Sequence, residues 1–217
     1  MKPAPPVTHT VLDAMTTALP EEAVTALPPL ATGFYQRPTK VVAEDLPGAL
    51  LVRRLPEGLV AVRITEVEAY LGVGDPACHT FGGRRTGRTE VMWGDAGRLY
   101  VYFVYGMHWC ANLVTVGAGV PEAVLLRGAV SVLGESLIAA RYPGAGRRRL
   151  DGPARLCKGL ALDGTFNGVD VTSRGQVWLA RDGVVVPPQA IRRLPRVGVG
   201  YAGEAAAWPL RFRLSLG

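Results

Sequence analysis

Two glutamates and a tyrosine alternate at the end of one predicted strand, in the stretch RITEVEAY from Arg63 to Tyr70. Strand side chains alternate between two faces, so Glu66, Glu68 and Tyr70 are predicted to continue the buried face that Ile64 occupies. An unpaired buried carboxylate costs several kcal/mol, so each glutamate must pair with an arginine or line a polar cleft. In a cleft, a carboxylate can act as a general base and the tyrosine ring can stack on a flat heterocycle.

Arg63 and Arg127 are the candidate partners if the glutamates are structural. Arg127 and Asn112 lie inside the otherwise apolar stretches AVLLRGAV and CANLVTV, where a polar side chain needs a partner. Arg127 could pair with Glu68 or hold a phosphate, and Asn112 could read a base edge, although structural hydrogen bonding would explain either residue as well.

His79 begins a long glycine-rich basic loop, HTFGGRRTGR. Long loops inside compact domains are usually functional or disordered, and glycines let backbone amides approach a phosphate closely. Arg84, Arg85 and Arg88 would supply positive charge there, although the spacing matches no P-loop. A single histidine is more often structural than catalytic, but its place in this loop favours a functional role.

The segment RLYVYFVYGMHWCANLVTV predicts a β-hairpin with its turn at Tyr105–His108. Tyr100 and Tyr102 are predicted on one strand face, where packing in a core explains most aromatic residues. Tyr105 stands at the turn, where burial is difficult. An exposed apolar wedge on a rigid ribbon, in a basic protein, is suited to enter between stacked bases, so duplex DNA is the expected partner.

Composition agrees with a nucleic-acid partner but does not require one. The 217 residues carry a formal charge of +6, with basic clusters at 84–88, 147–149 and 192–196. The three cysteines lack zinc-ligand spacing, so no metal site is expected. The sequence has no apolar run of membrane-spanning length and no secretion signal, so we expect a soluble intracellular protein.

The remaining pattern predicts an α+β fold in one compact domain, with a curved, mostly antiparallel sheet, a protruding hairpin and flanking helices. Residues 1–27 are rich in Pro, Ala and Thr and are predicted to be a poorly structured tail before a domain at 28–217. Regular βαβ alternation and the G-x-G-x-x-G pattern are missing, which disfavours a dinucleotide-binding fold.

Several stretches occur in a fixed order: RITEVEAYLG, ACHTFGGRRTGR, LYVYFVYGMHWCANLVT, AVLLRGA, GPARLCKGLAL, RVGVGYAGE and PLRF. Through them the chain, from about Leu27 to its C-terminus, resembles the alkyladenine (3-methyladenine) DNA glycosylase family of the mammalian type. The resemblance implies a monofunctional, monomeric base-excision repair enzyme that flips a damaged purine out of duplex DNA and hydrolyses its N-glycosidic bond, without Schiff base, cofactor or metal. The sequence leaves open whether deaminated or etheno purines join alkylated purines as substrates.

The resemblance also implies residue roles. Glu68 would be the general base, with Arg127 and the Val197 carbonyl holding the attacking water. The other implied roles are a base pocket of Tyr70, His79, Tyr102 and Asn112, an intercalating Tyr105, and DNA contacts from Arg84, Arg85, Arg88, Met107 and His108. This chain departs from the family at His108-Trp109, at Val73-Gly74 and in its short C-terminal end.

Two other functions are compatible with some of these features. A non-catalytic module that binds and bends damaged DNA would use Tyr105 and the basic clusters but would not need Glu68. A glycoside hydrolase is disfavoured, because Glu66 and Glu68 on one strand face would lie about 7 Å apart with parallel side chains, not on opposite sides of a bond.

Overall fold

A computed structural model describes residues 13–142 and 150–214. Within them, one antiparallel sheet contains the strands β1 (Leu50–Leu55), β2 (Gly58–Tyr70), β3 (Leu99–Val104), β4 (His108–Gly117), β5 (Val120–Leu133), β6 (Val177–Ala180), β7 (Ile191–Leu194) and β8 (Arg211–Leu214). The strand order is β3-β4-β5-β2-β1-β6, while β8 pairs with both β2 and β7. The predicted α+β class with an antiparallel sheet is confirmed. The basic cluster at 147–149 lies outside the described residues.

Short helices flank the sheet: α1 (Glu21–Ala26), α2 (Thr32–Tyr35), α3 (Thr39–Asp45), α4 (Glu135–Ala140) and α5 (Pro153–Gly159). The predicted helix with a proline near its start is α5, where Pro153 takes a position whose N–H needs no helical partner. The 3₁₀ turns are Gly72–Gly74, Phe81–Gly83, Glu90–Trp93, Gly164–Phe166, Pro188–Ala190 and Gly200–Ala207. Within the described ranges, no helix has the length and apolar character to cross a membrane.

β2 is the central strand and changes neighbours along its length. β5 pairs with it on one side from residue 61 onward, while on the other side β1 pairs with residues 58–63 and β8 with residues 66–68. The β2–β5 register is irregular on both sides of Glu66, and neither Thr65 nor Arg127 has a Cα partner across these two strands. The irregularity therefore surrounds Glu66 and lies directly before Glu68 and Tyr70.

This irregularity reverses the faces of β2, so the predicted face for the two glutamates is wrong. Val60, Val62 and Ile64 belong to the main core, and beyond the irregularity Val67 and Ala69 continue that core. One residue out of step in a strand moves every later side chain to the opposite face. Glu66, Glu68 and Tyr70 therefore point away from the main hydrophobic core, towards the side of the sheet that carries the cleft described below.

Residues 13–27 pack against the sheet, in contrast to the poorly structured tail predicted for residues 1–27. Met15 and Val24 are fully buried, and the Leu19 N–H donates to the Val132 carbonyl at 2.8 Å. Val24 joins a second apolar cluster with β1, β2 and β6 residues. Two apolar side chains, Met15 and Val24, are thus enough to attach this Pro- and Ala-rich segment to the sheet, and its composition did not indicate that. Residues 1–12 lie outside the described part of the chain.

Candidate active site

A cleft of about 380 Å³ opens where the end of β2 meets the β3–β4 hairpin. The loop after β2, the first turn of α5 and the segment 197–201 complete its walls. The structure brings to this cleft most of the residues singled out from the sequence: Tyr70, His79, Tyr102, Tyr105, His108, Asn112, Arg127 and Val197. Residues far apart in sequence thus share one concave surface, as a binding site requires.

Glu68 lies behind the wall of this cleft and is fully buried. Of the two alternatives that the sequence offered for a glutamate here, pairing with an arginine describes Glu68, and lining the cleft does not. Two hydrogen-bond donors and one guanidinium that line the cleft reach Glu68. The Val197 N–H donates to Oε1 at 2.8 Å, the Tyr70 hydroxyl donates to Oε2 at 3.0 Å, and Arg127 Nε lies 3.4 Å from Oε1. The carboxylate is therefore one layer from the cleft and connected to it through its partners.

The electrostatic environment of Glu68 contains opposing effects. Burial raises the pKa of its carboxyl above the ordinary value, while the Arg127 guanidinium, the Val197 N–H and the Tyr70 hydroxyl oppose that rise. A carboxylate with a raised pKa is a stronger base, and the surrounding donors keep the ionised form accessible. This combination suits a group that must take a proton from water near neutral pH.

Glu66 has a different role and follows the structural alternative. Its carboxylate accepts from Arg127 Nε at 3.0 Å and lies 3.2 Å from Arg211 and 3.4 Å from Arg213. Arg127 thus bridges the two glutamates, and Glu66 holds it in place. Arg63, the other candidate partner, pairs with Asp182 instead, in the part of β2 that lies beside β1.

Aromatic side chains form the part of the cleft predicted as the base pocket. The His79 and Tyr102 rings meet edge to face with centroids 4.7 Å apart, and Tyr100 stacks on Tyr102 at 5.2 Å. His79 Nδ1 is 2.9 Å from the Tyr100 hydroxyl. Burial, helped by Arg88 and Arg84, lowers the pKa of His79 to about 4, so the imidazole is neutral at physiological pH.

Asn112 lies deep in the same pocket and is nearly fully buried. Its amide nitrogen donates to the Tyr100 carbonyl at 3.0 Å, which fixes the orientation of the side chain. This bond uses one of the two N–H groups of the amide, so the second N–H and the amide oxygen are the groups through which Asn112 can contact a base.

The hairpin tip has the protruding shape that the sequence predicted. Tyr105 is 84% exposed and Met107 is 67% exposed, and His108 beside them is exposed as well. Tyr105 and Gly106 have φ angles of 53° and 66°, and the Met107 N–H donates to the Val104 carbonyl at 3.2 Å. Positive φ at both central residues is the geometry of a type I′ hairpin turn. A tyrosine in this conformation is strained, which points to a functional reason for its place.

The basic loop after His79 is exposed at Arg84, Arg85 and Arg88. Arg85 forms a surface ion pair with Glu90 at 2.6 Å, so part of its charge is neutralised. The Arg88 guanidinium lies 5.6 Å from the centre of the Tyr102 ring, at the edge of the aromatic pocket. The loop therefore carries positive charge close to the cleft, as an anionic ligand would require.

Sequence reasoning missed three contributors to the site. Tyr201, 72% exposed, lines the cleft, and its hydroxyl donates to the Ala77 carbonyl at 3.2 Å. Arg196 and Asp75 form a buried ion pair behind the cleft. The motif RVGVGYAGE contains two of these residues, but no local pattern shows which of its side chains face inward.

Among residues 13–142 and 150–214, no group of three or more His, Cys, Asp or Glu side chains could hold a metal ion.

Comparison with known proteins agrees with this geometry. The sequence profile described as methylpurine-DNA glycosylase matches residues 33–216. Among the relatives provisionally named 3-methyladenine DNA glycosylase, that of Methanocella arvoryzae is 45% identical over 86% of this chain and 92% of its own length. The relative from Myxococcus xanthus is 46% identical over 84% of this chain and 88% of its own length. The relative from Bdellovibrio bacteriovorus is 42% identical over 83% of this chain and 92% of its own length. The chain therefore belongs to the methylpurine-DNA glycosylase family.

Proposed function

We propose that this chain is a monofunctional DNA glycosylase that flips an alkylated purine, such as 3-methyladenine, out of duplex DNA into the aromatic cleft and hydrolyses its N-glycosidic bond. Residues 28–217 would form the catalytic domain and act as a monomer, since one chain supplies every wall of the cleft described above. The observation that carries the proposal is the buried carboxylate of Glu68, whose two hydrogen-bond donors and neighbouring guanidinium line the same cleft as the aromatic pocket.

In the proposed reaction, a water molecule next to Arg127 and Val197 attacks the anomeric carbon of the flipped nucleotide. Oε1 of Glu68 already faces the Val197 N–H and Arg127, whereas Oε2 accepts the Tyr70 hydroxyl and has capacity for a second donor. Glu68 has no surface in the cleft, so the water proton reaches Oε2 through the Tyr70 hydroxyl, which lines the cleft. The hydroxyl passes its own proton to Oε2 and takes up the water proton as the new carbon–oxygen bond forms. The bond to the purine nitrogen breaks, and its electron pair leaves with the base.

The leaving group explains why so few residues are needed. An N-alkylated purine carries a positive charge, and departure with the bonding electrons makes it neutral, so leaving-group protonation is unnecessary. The electron-rich faces of Tyr70 and Tyr102 favour a cationic ring, and the neutral His79 does not repel it. Neutral lesions such as hypoxanthine and ethenoadenine lack this advantage, and we propose them as slower substrates of the same pocket.

Two further features support the proposal. Among the described residues that line the cleft, none is a lysine, which agrees with direct hydrolysis by water rather than a Schiff base. The exposed Tyr105 stands at the cleft and would fill the gap in the base stack left by a flipped nucleotide. Arg84, Arg85, Arg88, Met107 and His108 are proposed to contact the DNA around it.

Glu68→Gln tests the proposal. Single-turnover excision from a duplex with one 3-methyladenine analogue should fall by about 10²-fold or more, because general-base catalysis is lost, while duplex binding persists. Glu44→Gln is the matched control, since Glu44 forms a surface ion pair with Arg193 away from the cleft. A wild-type protein that binds the lesion duplex but never releases base would favour the non-catalytic binding module instead. Unchanged excision by Glu68→Gln would reject Glu68 as the base.

A further inference from the structure

A second buried ion pair, between Arg196 and Asp75, lies directly behind the cleft. Both side chains are fully buried, and both terminal guanidinium nitrogens contact the carboxylate, with Arg196 Nη2 donating to Asp75 Oδ1 at 2.8 Å. A buried ion pair contributes little stability compared with apolar side chains of the same size, because desolvation offsets its attraction. Its presence here calls for a second role, which its contacts indicate.

Arg196 connects the strand end, the loop after it and the cleft wall. Its Nη1 group donates to the Ala69 carbonyl at 3.0 Å, and its guanidinium carbon lies 4.8 Å from the centre of the Tyr70 ring. Arg196 is absent from the cleft surface, so it covers the face of Tyr70 that points into the protein. Asp75 in turn accepts the N–H groups of Leu71 and Ala77, each at 3.0 Å.

These contacts control both hydrogen-bond donors on Glu68. Val197 follows Arg196 in sequence and donates its N–H to Glu68, while Tyr70, stacked on Arg196, donates its hydroxyl. Arg127, the cation 3.4 Å from Glu68, is held separately by its hydrogen bond to Glu66. Displacing the Arg196 side chain would therefore move the backbone at Val197 and release the Tyr70 ring, but it would leave the Arg127 contact in place.

We propose that Arg196, held by Asp75, is a positioning residue that fixes the two donors on Glu68 and thereby sets the proton affinity of that carboxylate. The link to catalysis rests on the proposed function, in which ionised Glu68 is the base. Loss of donors to an anion favours its protonated form, so the rate would need a higher pH to reach its plateau.

The effect can be separated from a change in charge. The groups that face Glu68 are Arg127, Glu66, Tyr70, Cys110, Arg196 and the Val197 N–H. Replacing both members of the pair, as Arg196→Met with Asp75→Asn, removes one positive and one negative charge together. The carboxamide introduced by Asp75→Asn would still accept from one N–H of its loop. Arg196 also acts on Glu68 through its charge, so Arg196→Lys, which keeps that charge, is measured beside the double variant to separate donor position from charge.

The structure offers a matched control in Arg63 and Asp182. Arg63 is buried, donates to Asp182 at 2.8 and 2.6 Å, and donates to the Gly48 carbonyl at 3.0 Å. It therefore resembles Arg196 in burial, pairing and backbone contacts, but it lies in the part of β2 beside β1 and contacts no residue of the cleft in the interactions described. Arg63→Met with Asp182→Asn should show what the loss of a buried pair does to stability alone.

The experiment measures single-turnover excision against pH for wild type and both double variants, together with a ¹³C NMR titration of the Glu68 side-chain carboxyl. In the Arg196 and Asp75 variant, the acid limb of the rate and the Glu68 titration should both move up by about one to two pH units. In the Arg63 and Asp182 variant, both should stay at the wild-type position while the melting temperature falls.

Several results would overturn the inference. One is a Glu68 titration at the wild-type position in a folded Arg196 and Asp75 variant, and another is an equal shift in both variants. If the double variant does not fold, Arg196→Lys keeps the charge, loses the two-point contact, and should give a smaller shift in the same direction. A titration shift without any excision by wild type would support the positioning role while rejecting the proposed function, so the two failures are distinguishable.

Discussion

The hairpin tip gives the most direct test of how the protein would open a duplex. Tyr105 is 84% exposed, so replacing it by alanine removes almost no buried surface and should change the free energy of unfolding by less than about 0.5 kcal/mol. Glycine has a further effect, because the φ of 53° at this position strains every residue with a Cβ. Tyr105→Gly should be more stable than Tyr105→Ala by up to about 1 kcal/mol.

The excision rates of the Tyr105 variants should depend on whether the aromatic ring is present and not on how stable each variant is. Stacking of an aromatic side chain on a base is worth about 1–3 kcal/mol, which corresponds to roughly 5- to 150-fold in the population of the flipped state. Tyr105→Ala and Tyr105→Gly both lack the ring, so both should slow single-turnover excision from duplex DNA by a factor in that range. Tyr105→Phe keeps the ring and should retain excision within about twofold.

The same lesion in single-stranded DNA provides the internal control. A single strand has no paired stack to refill, so excision from it should be nearly equal for wild type, Tyr105→Ala and Tyr105→Phe. Equal rates on duplex for wild type and Tyr105→Ala would refute the wedge. A loss that is as large on single strands, or that follows the stability difference between the alanine and glycine variants, would refute it as well.

Two further predictions concern the pocket histidine and the N-terminal segment. Burial lowers the pKa of His79 to about 4, so the unfolded chain binds a proton at this residue before the folded protein does, and the free energy of unfolding should fall as pH drops from about 6.5 towards 4. His79→Gln should remove that part of the pH dependence. An NMR titration of His79 near the ordinary histidine pKa would contradict the prediction. Deleting residues 1–27 should cost about 3–6 kcal/mol of stability in denaturant unfolding, since the buried Met15 and Val24 are lost, whereas deletion of 1–12 keeps both side chains and provides the comparison.

Local signals in the sequence were sufficient for the elements that carry the site residues and for the chemical character of the site, but not for the helix α1 or the strand β7. The turn at Tyr105 and Gly106 was predictable because a glycine, which tolerates positive φ, stands between two β-rich runs. The helix that starts at Pro153 was predictable because proline fits the first helical turn. Family membership was also evident from short motifs in a fixed order, and the profile match over residues 33–216 confirms it.

The attachment of residues 13–27 could not be predicted in this way. Composition describes an average over the segment, whereas Met15 and Val24 are two individual side chains that find apolar sites on the sheet. Whether such anchors bind depends on the surface that the rest of the chain builds, which has no signature within the segment itself.

What the sequence determined by itself was the set of residues, the strands and turns that carry them, and the family they belong to, because each depends on neighbours along the chain. Only the tertiary structure decided the face and depth of Glu68. Regular alternation predicts one face for it, but the coupled irregularity at Thr65 in β2 and Arg127 in β5 reverses that face. Pairing between two distant strands creates this irregularity, and the resulting fold, not local sequence, brings Val197, Tyr70 and Arg127 around one buried carboxylate.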